Sequence, residues 1–264
     1  MKISVITPVY NGAETISSCI NSLSGQTYNN YEHIIVDGAS FDRTLEIIRN
    51  HQHQKLKWIS EKDKGLYDAF NKGINMATGD VVCFLCADDM YTHKNVLKNI
   101  ASAFSINPDA EIIYTDIIYV NKKDPSKIDR YWKSSPFKQG DFKKGWLPPN
   151  TALFIKKEKL MECGLFDINF RMAADYELQY RLFEKKLAKT LYISDISVTM
   201  RSGGMSNSSP LGMFTSLKEC YKGLKKNKVS SPMIYIINTL FYRFKQTIIP
   251  KSVKRYYKQL LKNK

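Results

Sequence analysis

At 264 residues, with 43% hydrophobic and 25% charged side chains, the chain can bury a large core, which excludes wholesale disorder and a mini-protein. The formal charge of +15 is uneven: Leu211 to Lys264 holds thirteen basic residues against Glu219 alone, so +12 sits there and the first 210 residues are nearly neutral. Five scattered cysteines argue against a disulfide framework and for a reducing compartment, and the few apolar residues between Lys2 and Pro8 predict no secretory leader.

In chain order, strand-like and helix-like segments alternate: "KISVITPVY", "AETISSCINSLSGQ", "YEHIIVDGAS", "DRTLEIIRNH", "KLKWISEKDK", "GLYDAFNKGINMATG", "DVVCFLCADD" and "KNVLKNIASAF". Such alternation predicts right-handed βαβ units and an α/β fold with a doubly wound, mostly parallel sheet, whose ligands bind outside the carboxyl ends of the strands. Those ends are Thr7 to Asn11, Asp37, Glu61 to Asp63, and Asp88 with Asp89. Neither GxGxxG nor GxxxxGK[ST] is present, which excludes the two commonest nucleotide-binding loops. An acidic rim accepts a phosphate only through a cation, and Asp88 with Asp89 offers the hard oxygens that Mg2+ or Mn2+ takes. The same pair also reads as a helix cap before "THKNVLKNIASAF". Val81 to Ala87 is expected to be one buried strand, with Cys83 and Cys86 on opposite faces and packed in the core.

The second half reads as strands in "EIIYTDIIYV" and "TALFIKK", a helix in "AADYELQYRLFEKK" and a strand in "TLYISDISVTMRSGG". The remainder carries amphipathic helical patterns in "LGMFTSLKECYKGLKK", "MIYIINTLFYRFKQTI" and "SVKRYYKQLLKNK". These divisions predict a domain over 1–210, with a nucleotide half over about 1–111 and a substrate half over about 112–210, which the resemblance given next makes a nucleotide-sugar half and an acceptor half, then a basic helical tail over 211–264.

Seven segments in order, "KISVITPVYNGAETI", "DGASFDRT", "EKDKGLYDAFNKGINMATGD", "CADDM", "LFIKKEKLMECGLFD", "AADYELQYRL" and "RSGGMS", resemble the inverting family 2 glycosyltransferases of the GT-A fold, of the bacterial cell-surface polysaccharide type. The resemblance implies a metal-dependent transfer of sugar from a nucleoside diphosphate sugar, a UDP-sugar foremost, to an acceptor hydroxyl. It makes Asp88 the last carboxylate of the family's DxD metal motif, with Asp89 beside it and Cys86 where the first Asp would stand. Pro8, Tyr10 and Asn11 match the loop around the nucleoside, and Asp37 the position that accepts a hydrogen bond from the base, although "DGAS" is also an ordinary Asx-turn. Asp63 and Lys72 are further nucleotide-side candidates; Asp68 and Lys72 also form an i,i+4 pair that solvent alone explains. Asp175 matches the catalytic base, a place that without the family reads as a helix N-cap. Gly203 and Gly204 make a loop over the donor, or a surface turn. Gln179 and Arg181 fall on the family's Q/R motif, but Leu182 replaces its Trp, which argues against a processive synthase; Asn150 replaces a frequent His.

A sugar-1-phosphate nucleotidyltransferase would need a glycine-rich basic loop after the first strand, which "TPVYNGAET" is not. The basic tail with Tyr256 and Tyr257 resembles a nucleic-acid binder superficially, yet the aromatics of "MIYIINTLFYRF" share an apolar face with Ile and Leu. The expected partners are therefore the donor, a glycan or lipid-linked acceptor and, through the tail, an anionic membrane surface, with no nucleic acid; the expected place is peripheral, at the cytoplasmic face of the cell membrane.

Overall fold

A computed structural model of the chain describes residues 1–51, 53–203 and 210–262. The strands are β1 (Ile3–Val9), β2 (Tyr31–Asp37), β3 (Leu56–Ser60), β4 (Val81–Phe84), β5 (Met90–Tyr91), β6 (Ile112–Val120), β7 (Ile128–Trp132), β8 (Leu153–Lys156) and β9 (Thr190–Arg201). The helices are α1 (Ile16–Ser24), α2 (Thr44–Asn50), α3 (Leu66–Met76), α4 (Val96–Ile106), α5 (Lys157–Cys163), α6 (Ala174–Tyr180), α7 (Pro210–Lys226), α8 (Pro232–Lys245) and α9 (Lys251–Lys262). All the strands lie in one sheet of order β3-β2-β1-β4-β8-β6-β9-β5, with β7 added antiparallel to β6. Strands β3, β2, β1 and β4 are parallel, as are β6 and β9, whereas β8 runs antiparallel to both its neighbours. The mostly parallel, doubly wound sheet expected from the alternation is thus present.

Every residue of β1 and β2 is buried, as a sheet covered by helices on both faces requires. Polar groups inside are paired: Thr7 Oγ1 lies 2.9 Å from His33 Nε2, and Glu32 accepts from Ser4, Lys57, Lys2 and the Thr78 amide. Burial alone would raise the Glu32 pKa, but these donors outweigh it and hold the carboxyl well below its usual range. The expected strand over Val81 to Ala87 stops at Phe84, and the chain then leaves the sheet with Cys86 and Asp88 only partly buried.

The last three helices, which follow the expected boundary at residue 210, pack against the residues before it. Helix α7 lies on α6: Glu219 accepts from the backbone amides of Arg171, Met172 and Ala173, and Asn227 Nδ2 donates to buried Glu177 at 2.8 Å. Helix α8 turns Pro232, Ile236 and Thr239 inward, and its Asn238 Nδ2 donates to the Lys143 carbonyl at 2.7 Å. Gly145 adopts φ +86, and a Cβ there would stand 2.2 Å from the Asn238 carbonyl oxygen; only glycine permits so close a seat for α8. Helix α9 is held by Tyr257, which packs with Ile118, Val120, Tyr131 and Ile196 and donates to the Pro125 carbonyl.

Candidate active site

A cavity of about 460 Å³ opens at the carboxyl ends of β1 and β4. The N-terminal half lines it with Pro8, Tyr10, Asn11, Cys86 and Asp88, the C-terminal half with Tyr119, Arg130, Trp132, Asn150, Asp175 and Gln179, and the last helices with Ser216, Cys220 and Arg243.

The loop after β1 is held open by hydrogen bonds to the loop after β2. The Asn11 amide donates to Ser40 Oγ at 2.8 Å, the Phe41 amide donates to Asn11 Oδ1 at 3.1 Å, and Asn11 itself takes φ 50, which asparagine tolerates. Tyr10 and Phe41 meet edge to face at 6.1 Å and remain 62% and 81% exposed, an unusual exposure for two aromatics at a cavity mouth. Asp37 does not line the cavity. Its carboxylate is fully buried and accepts from the Ser40 amide at 3.0 Å and from Ser60 Oγ at 2.6 Å, the turn geometry that "DGAS" also allowed. Asp63 lies nearby: a Cβ on Gly38 would stand 2.6 Å from its Oδ2 and 3.5 Å from the Tyr10 ring. Lys72 is not among the lining residues; its ammonium meets Glu61 and the Lys62 carbonyl, each at 2.8 Å, and Asp68 at 3.7 Å. Gly203 has φ +102 and open space around it but is not among the lining residues, and Gly204 lies outside the described residues.

The ligand atoms of Cys86, Asp88 and Asp89 lie within 4.8 Å of one another. Asp89 is fully buried, and neither of its carboxylate oxygens has a hydrogen-bond partner. Burial and the adjacent Asp88 push its pKa well above the carboxylate range. An unpartnered buried acid is costly unless something positive joins it, and the two carboxylates of this set, though not the protonated Cys86 thiol, suit a hard divalent cation. The helix-cap alternative falls away: β5 intervenes, and α4 begins at Val96 with Asn95 as its N-cap. Cys83 is core, as expected, but Cys86 is not simply core: it lines the cavity and joins the acidic pair.

Asp175, in the first turn of α6, points to the same cavity from the other side. Tyr67 of α3 donates its hydroxyl to Asp175 Oδ1 at 2.8 Å, and the Tyr67 ring is wedged against Phe166 at 5.4 Å. Desolvation raises the Asp175 pKa, the Tyr67 hydrogen bond opposes this, and the balance is a net rise. The loop leading into α6 is fixed by the three amides that Glu219 accepts, so the sole acid of the basic final segment holds the approach to Asp175. Arg181 reaches no ligand position; it pairs with Glu177 at 2.9 Å and donates to the carbonyls of Cys163, Gly164 and Leu165. Sequence reasoning missed Tyr67, Arg130 and Arg243. Tyr67 was visible inside "GLYDAFNKG" as an aromatic beside charges, whereas Arg243 had no signal separating it from the other cations of the final segment.

The chain is 27% identical over 216 residues to a PGL/p-HBAD biosynthesis glycosyltransferase of Mycobacterium bovis, covering 77% of this chain and 78% of that one. It is 35% identical over 189 residues to an uncharacterized glycosyltransferase of Nostoc, covering 66% of this chain and 57% of that protein. Among solved structures, S. aureus TarS 1-349 in complex with UDP-GlcNAc superposes with a TM-score of 0.68 at 19% identity, covering 93% of this chain and 73% of that one. The chain spans 44% of the longer TarS chain. The mannosyltransferase PcManGT from Pyrobaculum calidifontis, in complex with GDP-Man and Mn2+, superposes at 0.65 with 18% identity, covering 91% of this chain and 69% of that one. These likenesses show a GT-A fold, and because the model of glycosyl transferase family 2 matches residues 4–167, more than half of the sequence, the chain belongs to that family.

Proposed function

We propose that this glycosyltransferase moves a sugar from a nucleoside diphosphate sugar, a UDP-sugar foremost, to a hydroxyl of a glycan or lipid-linked acceptor in surface polysaccharide synthesis, one sugar at a time and with inversion. The observation that carries the reading is the placement of Asp175, oriented by Tyr67, in one cavity with the β1 loop and Asp88. Pro8, Tyr10 and Asn11 would surround the nucleoside, with Asp37 and Asp63 behind them. Asp88 and Asp89 would hold Mn2+ or Mg2+, with the soft Cys86 thiol beside them and not a ligand; the ion when bound would supply positive charge to the leaving diphosphate. Asp175 takes the proton of the acceptor hydroxyl as its oxygen attacks the anomeric carbon from the face opposite the diphosphate. Tyr67 fixes the rotation of that carboxylate, and the raised pKa makes it a better base than a solvated aspartate. A donor screen with the full chain tests this: nucleotide release from a UDP-sugar, with an inverted anomer in the product, is expected. Release from no nucleotide sugar, or a product of retained configuration, would count against it.

The outer side of α8 supports attachment to the cytoplasmic face of a membrane. Met233, Ile234, Ile237, Phe241 and Phe244 are all more than two-fifths exposed, opposite the face that packs inward. Among the described residues no helix is long and apolar enough to cross a membrane. An amphipathic helix with basic neighbours such as Lys245, Lys251 and Lys254 lies instead in the interface of an anionic leaflet, each engaged cation contributing up to about 1 kcal/mol. Because α7 to α9 pack against the residues before them, truncation is the wrong test. Phe241→Glu with Phe244→Glu should abolish flotation with vesicles containing anionic lipid, and salt should weaken flotation of the wild type. Equal flotation of both proteins would place attachment elsewhere.

A further inference from the structure

We propose that the region of the cavity formed by β7 and α8 is a subsite for a phosphate group carried by the acceptor. The inference rests on the glycosyl-transfer reading and deepens it by naming the acceptor's chemistry. Arg130, from β7, and Arg243, from α8, both line the cavity, and among the described residues neither forms an ion pair with a carboxylate. Both side chains are half-buried without a carboxylate to balance their charge, and arginine does not escape by deprotonating.

Arg130 is rigidly presented. Its guanidinium carbon lies 4.9 Å from the Tyr119 ring centroid and 4.8 Å from that of Trp132, and its Nε donates to Gln246 Oε1 at 2.8 Å. The strand that carries it is pinned by buried Asp116, which accepts from the Tyr131 hydroxyl at 2.6 Å and from the Ser134 amide at 2.8 Å. Arg243 has a buried Nε with no hydrogen-bond partner. The two guanidinium groups are close enough to act on each other: burial chiefly lowers the Arg130 pKa, Tyr119 opposes this and Arg243 adds to it. Two unpaired, mutually repelling cations facing one cavity form a site for a group with several anionic oxygens, and paired arginine forks match phosphate in both charge and donor geometry.

The position favours the acceptor over the donor. Beside the acidic pair, and outside the cavity lining, stands a different cation, Arg201, which donates to Ser18 Oγ at 3.0 Å and approaches the Asp88 carbonyl. Arg130 and Arg243 come instead from the half that supplies Asp175, and the Arg243 charge already acts on that carboxyl.

The test is calorimetric titration of inorganic phosphate into the full chain saturated with UDP and Mg2+. The wild type should bind phosphate, Arg130→Gln and Arg243→Gln should each weaken it at least tenfold, and Arg243→Lys, which keeps the charge, should recover much of the loss. UDP affinity, measured in parallel, should change less than about twofold, a difference of about 0.4 kcal/mol. Phosphate affinity in both Gln variants unchanged from that of the wild type overturns the proposal, as does an equal affinity of the wild type for acetate. A parallel loss of UDP affinity also overturns it, by assigning the arginines to the donor. If phosphate binding fails while donor-dependent nucleotide release persists, only this subsite is lost; if release is absent as well, the reading beneath it fails. Melting temperatures of each variant separate loss of binding from loss of fold.

Discussion

Asp175→Asn is expected to lower the transfer rate by ~10²- to 10⁴-fold, the usual contribution of a general base, while donor affinity stays within about a factor of two. The substitution keeps the shape of the side chain and can still accept the Tyr67 hydrogen bond, so the fold around α6 should persist. What it removes is the capacity to take a proton. The pH profile gives a second reading of the same group. Burial raises the Asp175 pKa, so the protonated, inactive form extends to higher pH than in a solvated aspartate. The rate should therefore climb with pH along an acid limb shifted upward from that of a solvated aspartate. Tyr67→Phe should move that limb further up, since the hydroxyl lowers the pKa by binding the ionised form. A variant at Asp175 that keeps more than about a tenth of the wild-type rate would remove the residue from the role of base.

Chelation by EDTA is expected to abolish turnover and to weaken donor binding, and Asp88→Ala should do the same with Mn2+ present. The reasoning is electrostatic. Asp88 and the unpartnered, fully buried Asp89 place two acids beside Cys86 with no hydrogen bond to relieve Asp89. A cation that binds only the folded protein raises its stability by about 2.7 kcal/mol at a hundred times its dissociation constant, so the melting temperature should rise with Mn2+. That rise should vanish in Asp88→Ala, a readout independent of turnover. Unchanged donor binding and turnover in EDTA would leave the pair as an acidic end of a strand and nothing more.

The N-terminal half was legible because its strands are continuous apolar runs and its helices have clear periodicity; β1 to β4 and α1 to α3 follow the expected order. Strand β7 was not, since "IDRYW" sets two adjacent charges before two adjacent aromatics, without the period-two alternation of a strand, at a sheet edge where only some side chains are buried. The reversed direction of β8 has no local signature, because it is decided by which neighbours it pairs with. At the site, the motifs brought Asp88, Asp175 and the β1 loop to one cavity, whereas nothing in the sequence showed that the Lys72 ammonium would meet Glu61 and the Lys62 carbonyl, each at 2.8 Å. Arg130 and Arg243 could be recognised only after folding, since 113 positions separate them and the cavity brings them together.

Helix α8 turns Arg243 toward the cavity, while Phe241, two residues away and so about 200° around the axis, is 67% exposed. Arginine on one side and phenylalanine on the other are separated by the thickness of a single helix, about 10 Å with its side chains. The helix is thus a ruler. If its outer side rests on a bilayer, the cavity wall stands that far from the plane of contact. An acceptor tethered in the same leaflet then needs a polar spacer of about that length between its anchor and the hydroxyl it presents. Shorter tethers would leave the hydroxyl beneath the helix, out of reach of Asp175.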